Sequence, residues 1–191
     1  MRKLFCLLFC LQSFIGIAQN DSLNKWRKSV AVDFSISGNN YGLNIAPGYC
    51  LENNKNHFML APLLLSNDNL SRYKLTGIRI NYAFYPGTRQ KVLDFYFNYD
   101  FLLQSIVSNV YFFNSNTNDL KENVLTTFEN YIGYGFKIKI LHHLYITHGI
   151  GIGWVIVHSK YSKETNYFVG EDESDRASGI IKIGFEYYFH K

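Results

Sequence analysis

Residues 124 to 158 alternate more strictly between apolar and polar side chains than any other stretch, and this pattern constrains the fold most. In the first half, large apolar residues from Phe128 to Ile140 occupy even positions, while glycine, lysine and Glu129 occupy odd ones. Successive side chains of a strand point to opposite faces, so alternation of this kind indicates β-structure. The second half repeats it up to Ile156, after a turn at His142 and His143. The stretch therefore predicts a hairpin with one large apolar face and one small or charged face.

The charged residues decide which face meets which environment. A lysine on the lipid face of a membrane barrel costs roughly 2 to 4 kcal/mol at the bilayer midplane, so the lysine face is predicted to line a polar lumen. The isoleucines then face lipid. A soluble barrel or sandwich accepts the same alternation, with the apolar face as its core and the charged face in water.

Alternation of the same kind recurs along the chain and predicts six further strands, which gives eight in all. They span about 28–37, 41–51, 57–66, 72–85, 91 to at least 104, and 178–189, and the fifth of these has an alternative end at Phe113 above the membrane. The strand at 57–66 is the least regular, because it is apolar on both faces. Pro47 and Pro62 fall inside predicted strands, where proline removes a ladder donor. If Leu51 lies opposite Phe58, the two prolines face each other, which predicts a local break or bulge in that hairpin.

The N-terminus carries an export signal, which sets the compartment. Arg2 and Lys3 precede an apolar stretch, and small and polar residues follow up to Gln19. This is the pattern of a secretory signal peptide over residues 1–19, followed by one barrel domain over residues 20–191. Cleavage leaves Cys50 as the only cysteine, so an intramolecular disulfide is excluded and a closed hydrogen-bonded ladder is the expected source of stability.

The lengths of the connections add independent support for a membrane barrel. The short turns ENNKN, PGTRQ and LHH are predicted to lie on the periplasmic side. The long polar segments 114–123 and 159–177 are both predicted on the outer side, and the second contains the acidic run at 171–175. Short periplasmic turns with longer outer loops are typical of outer-membrane barrels, whereas a soluble sandwich has no reason to separate its loops in this way.

From about residue 28 to 189 the chain resembles the small outer-membrane β-barrel proteins of the OmpA-transmembrane-domain and OmpX type. The last strand ends in Phe185, Tyr187 and Phe189, similar to the aromatic C-terminal signal read by the barrel-assembly machinery, although His190 and Lys191 follow it. The resemblance implies an all-β fold, an eight-stranded antiparallel up-and-down transmembrane barrel, located in the outer membrane. Barrels of this size are filled by side chains.

The alternation also assigns individual side chains to each face. The charged residues predicted to form a mutually neutralising network in the lumen are Asp33, Arg79, Asp94, Asp100, Glu129, Lys137, Lys139, Lys182 and Glu186. A relay or a narrow ion path is the alternative reading of this set. The residues predicted to face lipid are Phe95, Phe97, Phe101, Ile132, Phe136, Ile138, Ile150, Ile152, Trp154, Ile183 and Phe185.

No motif for a cofactor, a metal or catalysis emerges. Gly149, Gly151 and Gly153 alternate with isoleucine and precede no helix, so they are predicted to make room for lumen tyrosines at 131, 145 and 188 rather than to hold a phosphate. The histidines at 142, 143, 148 and 158 do not converge on a metal site. Outer-membrane lipid deacylases carry a His-x-Ser-Asn segment, and His158-Ser159 is its nearest imitation here.

The functional prediction is therefore a non-catalytic outer-membrane barrel with a structural role or a surface-interaction role of its loops. Its expected partners are outer-membrane lipid, the barrel-assembly machinery, and an extracellular ligand of loops 114–123 and 159–177. The 19 basic and 15 acidic residues are too closely balanced to indicate nucleic-acid binding. Two alternatives stay open, a lipid-modifying enzyme and a soluble periplasmic carrier that holds a lipid inside its isoleucine face.

Overall fold

A computed structural model describes residues 26–38, 42–66, 73–87, 92–111, 120–162 and 169–189. The side chains of 73, 74, 107–111, 120–124, 159–162 and 169–173 are outside the described part. The predicted signal peptide also lies outside it. The strands are β1 (Arg27–Ser37), β2 (Leu43–Glu52), β3 (Asn56–Ser66), β4 (Tyr73–Phe84), β5 (Leu93–Tyr111), β6 (Leu120–Lys139), β7 (Leu144–Ser162) and β8 (Val169–Tyr188).

The eight strands form one closed barrel in which each strand pairs with its neighbour in the sequence and β8 pairs with β1. All the pairs are antiparallel, and the β1–β8 pair runs from Ser29 opposite Tyr188 to Ser37 opposite Ile180. The predicted fold class is confirmed, as is the hairpin that turns at His142 and His143. The described residues include no helix that is long and apolar enough to cross a membrane.

The outer wall of the barrel is apolar, as the alternation predicts. Ile152 is 79% exposed, and all the other residues predicted to face lipid lie on the same outer face, either exposed or half-buried. The inner wall instead holds buried charged and polar side chains. Buried apolar residues such as Met59, Leu63 and Leu102 pack among them. The carrier alternative required the isoleucine face to surround a lipid, but Ile132, Ile152 and Ile183 lie on the outside, so this alternative is wrong. The distribution of polarity is that of a barrel that spans a membrane.

The two prolines produce the local break that the sequence predicts. Pairing between β2 and β3 is present from Leu43 to Ile45 and again from Tyr49 to Glu52, with Leu51 opposite Phe58, but it is interrupted between these stretches. The register is the same on both sides of the gap, so the ladder is interrupted without a shift. The bulge lies on the other side of β3, where the register with β4 shifts between Leu63 and Leu64.

The predicted outer loops are too long, because much of each is strand. β5 continues to Tyr111 and β6 begins at Leu120, so only part of the predicted loop 114–123 is a connection. β7 continues to Ser162 and β8 begins at Val169, which places the acidic run 171–175 inside a strand. Loop prediction failed here because these parts of the strands have no apolar alternation in the sequence, although their backbones remain paired.

The glycines of β7 make room for neighbours, but not for all the predicted tyrosines. A Cβ atom added at Gly149 would lie 2.6 Å from Lys182 Cε, and one at Gly153 would lie 1.7 Å from the backbone oxygen of Asn130. Among the nearest atoms, the side chain of a predicted tyrosine occurs only at Gly151, where an added Cβ atom would lie 3.4 Å from Tyr131 Cβ. The main requirement is therefore space for the lumen lysine and for the adjacent β6 backbone.

Candidate functional site

The middle of the lumen holds a buried cluster of charges, the central cluster, made of Asp33, Arg79, Asp100 and Lys182 with the amides of Asn81 and Asn98. Arg79 donates to Asp100 Oδ1 from Nε at 2.9 Å and from a terminal nitrogen at 2.7 Å, and Lys182 donates to Oδ2 at 2.8 Å. The two amides donate to the same carboxylate. Asp33 lies 3.5 Å from the other terminal nitrogen of Arg79. Two cations and two anions thus balance in the bilayer-embedded interior.

A second cluster lies at the turn end, the end of the barrel that carries the β2–β3, β4–β5 and β6–β7 connections. This turn-end cluster consists of Arg27, Ser29, Glu52, His57, Lys137, Glu186 and Tyr188. Lys137 Nζ donates to Glu52 at 3.0 Å and to Glu186 at 2.6 Å, and it also donates to the Tyr188 hydroxyl. Arg27, whose side chain is 48% exposed, pairs with Glu52 at 2.8 Å. This cluster therefore reaches solvent through Arg27.

The remaining predicted lumen residues are Glu129, Asp94 and Lys139. Glu129 is fully buried nearer the opposite end, the loop end, and accepts a 2.7 Å hydrogen bond from the Tyr131 hydroxyl. Asp94 and Lys139 are half-buried at the turn end. Asp94 lies opposite Lys137 in the β5–β6 ladder. The nine predicted charges thus lie at several levels along the barrel axis.

Sequence reasoning missed four members of the turn-end cluster, namely Arg27, Ser29, Glu52 and His57. Glu52 was placed in a turn, yet it is the last residue of β2 and is 1% exposed. The sequence pattern could have identified Glu52 as an inward residue, since it continues the even-numbered inward positions of Ala46 and Cys50. His57 likewise shares the inward odd parity of Met59 in β3.

The turn-end cluster brings a serine, a histidine and a carboxylate together, but not in a catalytic order. Ser29 Oγ donates to Glu186 Oε1 at 2.5 Å, and His57 Nε2 lies 3.1 Å from the same oxygen. The carboxylate therefore separates the serine from the imidazole, whereas an activated serine needs the base within hydrogen-bond reach. Ser29 is also fully buried. The other candidate histidine, His158, belongs to the outer face of β7.

A small cavity of about 20 Å³ lies between the two clusters, lined by residues that include Asp33, His57, Met59, Lys182 and Glu186. This volume suffices for about one water molecule. Around it the lumen is occupied by side chains such as Tyr96 and Tyr131, which are 5% and 0% exposed. Within the described residues the interior is a packed core, as expected for a barrel of eight strands.

At the loop end, half of the barrel extends beyond the other half. Strands β1 to β4 have 10 to 12 residues, whereas β5 to β8 have 19 or 20. The described pairing of β5 with β4 ends at Gln104, and that of β8 with β1 ends at Ile180. Beyond these points β5 pairs with β6 up to Tyr111, and β8 pairs with β7 from Val169. The four long strands thus form a raised sheet with two edges.

Comparison with known proteins supports the architecture and nothing finer. No family model matches the chain, and no curated protein matches it. Among solved structures it is similar to a major outer membrane protein from Thermus thermophilus, with a TM-score of 0.50, 10% identity, and coverage of 86% of this chain and 99% of that one.

Two further structures have lower TM-scores. The N-terminal β-barrel domain of Pseudomonas aeruginosa OprF has a TM-score of 0.47 at 12% identity, covering 86% of this chain and 99% of that one. Neisserial surface protein A has a TM-score of 0.43 at 12% identity, covering 86% and 96%. The apolar belt and the polar interior are the features of an outer-membrane barrel, and the protein belongs in that membrane.

Proposed function

We propose that this outer-membrane barrel is not an enzyme and acts through its raised sheet, which binds an extended polypeptide segment of an extracellular partner. The observation that carries the proposal is the difference in length between β1–β4 and β5–β8, which leaves strand edges above the membrane. Residues 105–111 of β5 span roughly 20 Å at about 3.3 Å per residue, enough for several backbone hydrogen bonds.

The chemistry of such an edge favours a polypeptide partner. The backbone groups along 105–111 and 169–178 are available for pairing with an added strand, because among the described residues these segments have ladder partners on one side only, whereas Gly179 O already accepts from Gly38 N. Strand addition of this kind derives affinity from main-chain hydrogen bonds and specificity from alternate side chains. Ser174 to Ala177 are exposed on the β8 edge and provide a polar surface for that selection.

The proposal is tested by shortening both long hairpins in register. The variant lacks 105–126 and 155–176, whose ends are paired residues, so that β5 to β8 become as short as β1 to β4, and it joins each hairpin with Asn-Gly. The probe is a chemically unfolded, fluorescently labelled lactalbumin, presented to cells that display the protein. We expect binding by the full chain and loss of binding by the shortened variant, with an unchanged heat-dependent gel shift as proof of barrel assembly.

A matched variant replaces only the connections 112–119 and 163–168 by short polar turns and keeps the paired strands. Retained binding by this variant identifies the strand edges as the contact, whereas loss of binding assigns the contact to the connections at the hairpin tips. Loss of binding by this variant would contradict the strand-edge contact. Binding that survives shortening of the strands would contradict any role of the raised sheet, whether through its edges or through its hairpin tips.

A further inference from the structure

Three residues of metal-binding type meet inside the turn end. Cys50 on β2, His57 on β3 and Glu186 on β8 each offer one ligand atom, and these atoms lie within 4.8 Å of one another. The barrel registers bring them together, since Cys50 lies between Ser29 of β1 and Met59 of β3, and His57 lies opposite Glu52. All three side chains are buried, at 0%, 6% and 1% exposure.

The ion pairs of the turn-end cluster do not account for all these atoms. His57 Nε2 contacts Glu186 Oε1 at 3.1 Å, but its Nδ1 is buried and has no hydrogen-bond partner in the described part of the chain. A buried polar atom left in this way costs about 1 to 3 kcal/mol, so it calls for an additional ligand or water. The 20 Å³ cavity that His57 and Glu186 line provides room for one.

We propose that Cys50, His57 and Glu186 bind a divalent, borderline-soft metal ion of the Zn²⁺ class, with a water molecule as the fourth ligand. Thiolate, imidazole and carboxylate are the ligands of zinc, with bonds of about 2.0 to 2.3 Å. In tetrahedral geometry such bonds place neighbouring ligand atoms roughly 3.3 to 3.7 Å apart. The nitrogen that faces Glu186 is His57 Nε2, whose 3.1 Å contact with Oε1 needs a small opening to reach this range. The ligand atoms lie within 4.8 Å of one another, so a pair at that limit must close by about 1 Å. Nδ1 then stays on the far side of the ring, where a water molecule in the cavity can satisfy it.

The local charges accommodate the ion. Binding displaces the Cys50 thiol proton to solvent, so the site gains one net positive charge. Lys137 opposes the ion, because its Nζ lies 2.6 Å from Glu186 Oε2. The ion therefore takes the Oε1 side, where Ser29 now donates. The Glu52 carboxylate beside Lys137 and the Asp33 carboxylate on the cavity wall offset the added charge.

The position of the site suggests what the ion does. It links β2, β3 and β8 close to the stretch in which the β2–β3 ladder is interrupted at Pro47. A bound ion replaces some of the cross-strand connection that the prolines remove. The ion is thus a structural link across the interrupted β2–β3 hairpin, and this inference is independent of any partner of the raised sheet.

The experiment uses the full mature protein, purified in detergent, stripped with a chelator and titrated with Co²⁺ as a spectroscopic substitute for Zn²⁺. We expect one equivalent to bind with a thiolate-to-metal charge-transfer band, and excess Zn²⁺ to abolish that band. C50S and H57Q should each weaken Co²⁺ binding at least about 10-fold, since loss of even outer-shell partners costs 10- to 100-fold. C50S should also remove the band.

The control separates this site from the surface histidines. His142 and His143 lie at the β6–β7 turn with ring centroids 5.0 Å apart and could capture a cation without any thiolate. H142Q/H143Q should leave the charge-transfer band and its titration unchanged. Absence of the band in the wild-type protein, or identical Co²⁺ titrations of wild-type and C50S proteins that both show the heat-dependent gel shift, overturns the proposal.

Discussion

The central cluster and the turn-end cluster hold similar groups within one lumen, but they differ in their access to water. Arg79 and Asp100 are fully buried and lie among Lys182, Asn81 and Asn98. In the turn-end cluster Glu52 is equally buried, but its partner Arg27 is half-exposed. Removal of one charge from a cluster without access to water leaves its partners buried and uncompensated, which is costly. In the turn-end cluster, water and the remaining partners can solvate the charges that are left, so the cost is smaller. The same pairing chemistry should therefore have unequal energetic weight at the two levels.

The largest effect is expected from D100A in the central cluster. This change leaves Arg79 and Lys182 facing each other with Asp33 as the remaining carboxylate of the cluster, and breaking a buried pair in this way costs about 3 to 5 kcal/mol. The free energy of unfolding, measured by urea titration in detergent micelles, should fall by this amount. The double variant D100L/R79M should lose less than the sum of its single changes, since the two residues are coupled.

A loss below about 1 kcal/mol for D100A would contradict the comparison. It would mean that water solvates the central cluster as readily as the rim, and that the balance of two cations and two anions there has no special role in stability.

The contrast between the clusters also shows what the sequence could predict. Period-two alternation correctly predicted the eight strands and their two faces, whereas the lengths of the connections and the resemblance to small outer-membrane barrels supplied the transmembrane barrel. The inward parity of Arg79, Asp100 and Lys182 followed from the same pattern. Their grouping into levels did not, because partners such as Lys137 and Glu52 are 85 residues apart and meet only through the strand tilt and the closure of the barrel.

The misplaced boundaries have the same origin. Alternation ends where lipid ends, so the segment 171–175 looked like a loop although its backbone continues the β7–β8 ladder. Glu52 was lost to a predicted turn because its neighbours are polar. The sequence therefore specifies the alternating wall well, and it specifies poorly the parts of strands that have no apolar alternation.

An intermediate effect is expected from K137M in the turn-end cluster. It removes the ammonium group that bridges Glu52 and Glu186, but Arg27 still pairs with Glu52 and His57 still contacts Glu186. Loss of hydrogen bonds to charged groups costs about 1.5 to 3 kcal/mol, and the same urea titration should report a value in this range. K139M, at a half-buried position of the same strand, is the matched control and should have a smaller effect. A K137M loss as large as that of D100A would show that both clusters are equally dry.

The smallest effect is expected from R27A. Its guanidinium lies 2.8 Å from Glu52 but is about half in solvent, and exposed pairs contribute roughly 0.2 to 1 kcal/mol. The loss should shrink further at high salt, because ions screen an exposed pair far more than a buried one. Urea titrations of wild-type and R27A proteins at low and high sodium chloride measure this directly. The D100A loss should remain nearly constant over the same range of salt. If the R27A loss is as insensitive to salt as the D100A loss, then Arg27 is shielded from water, and the two clusters do not differ in their access to water.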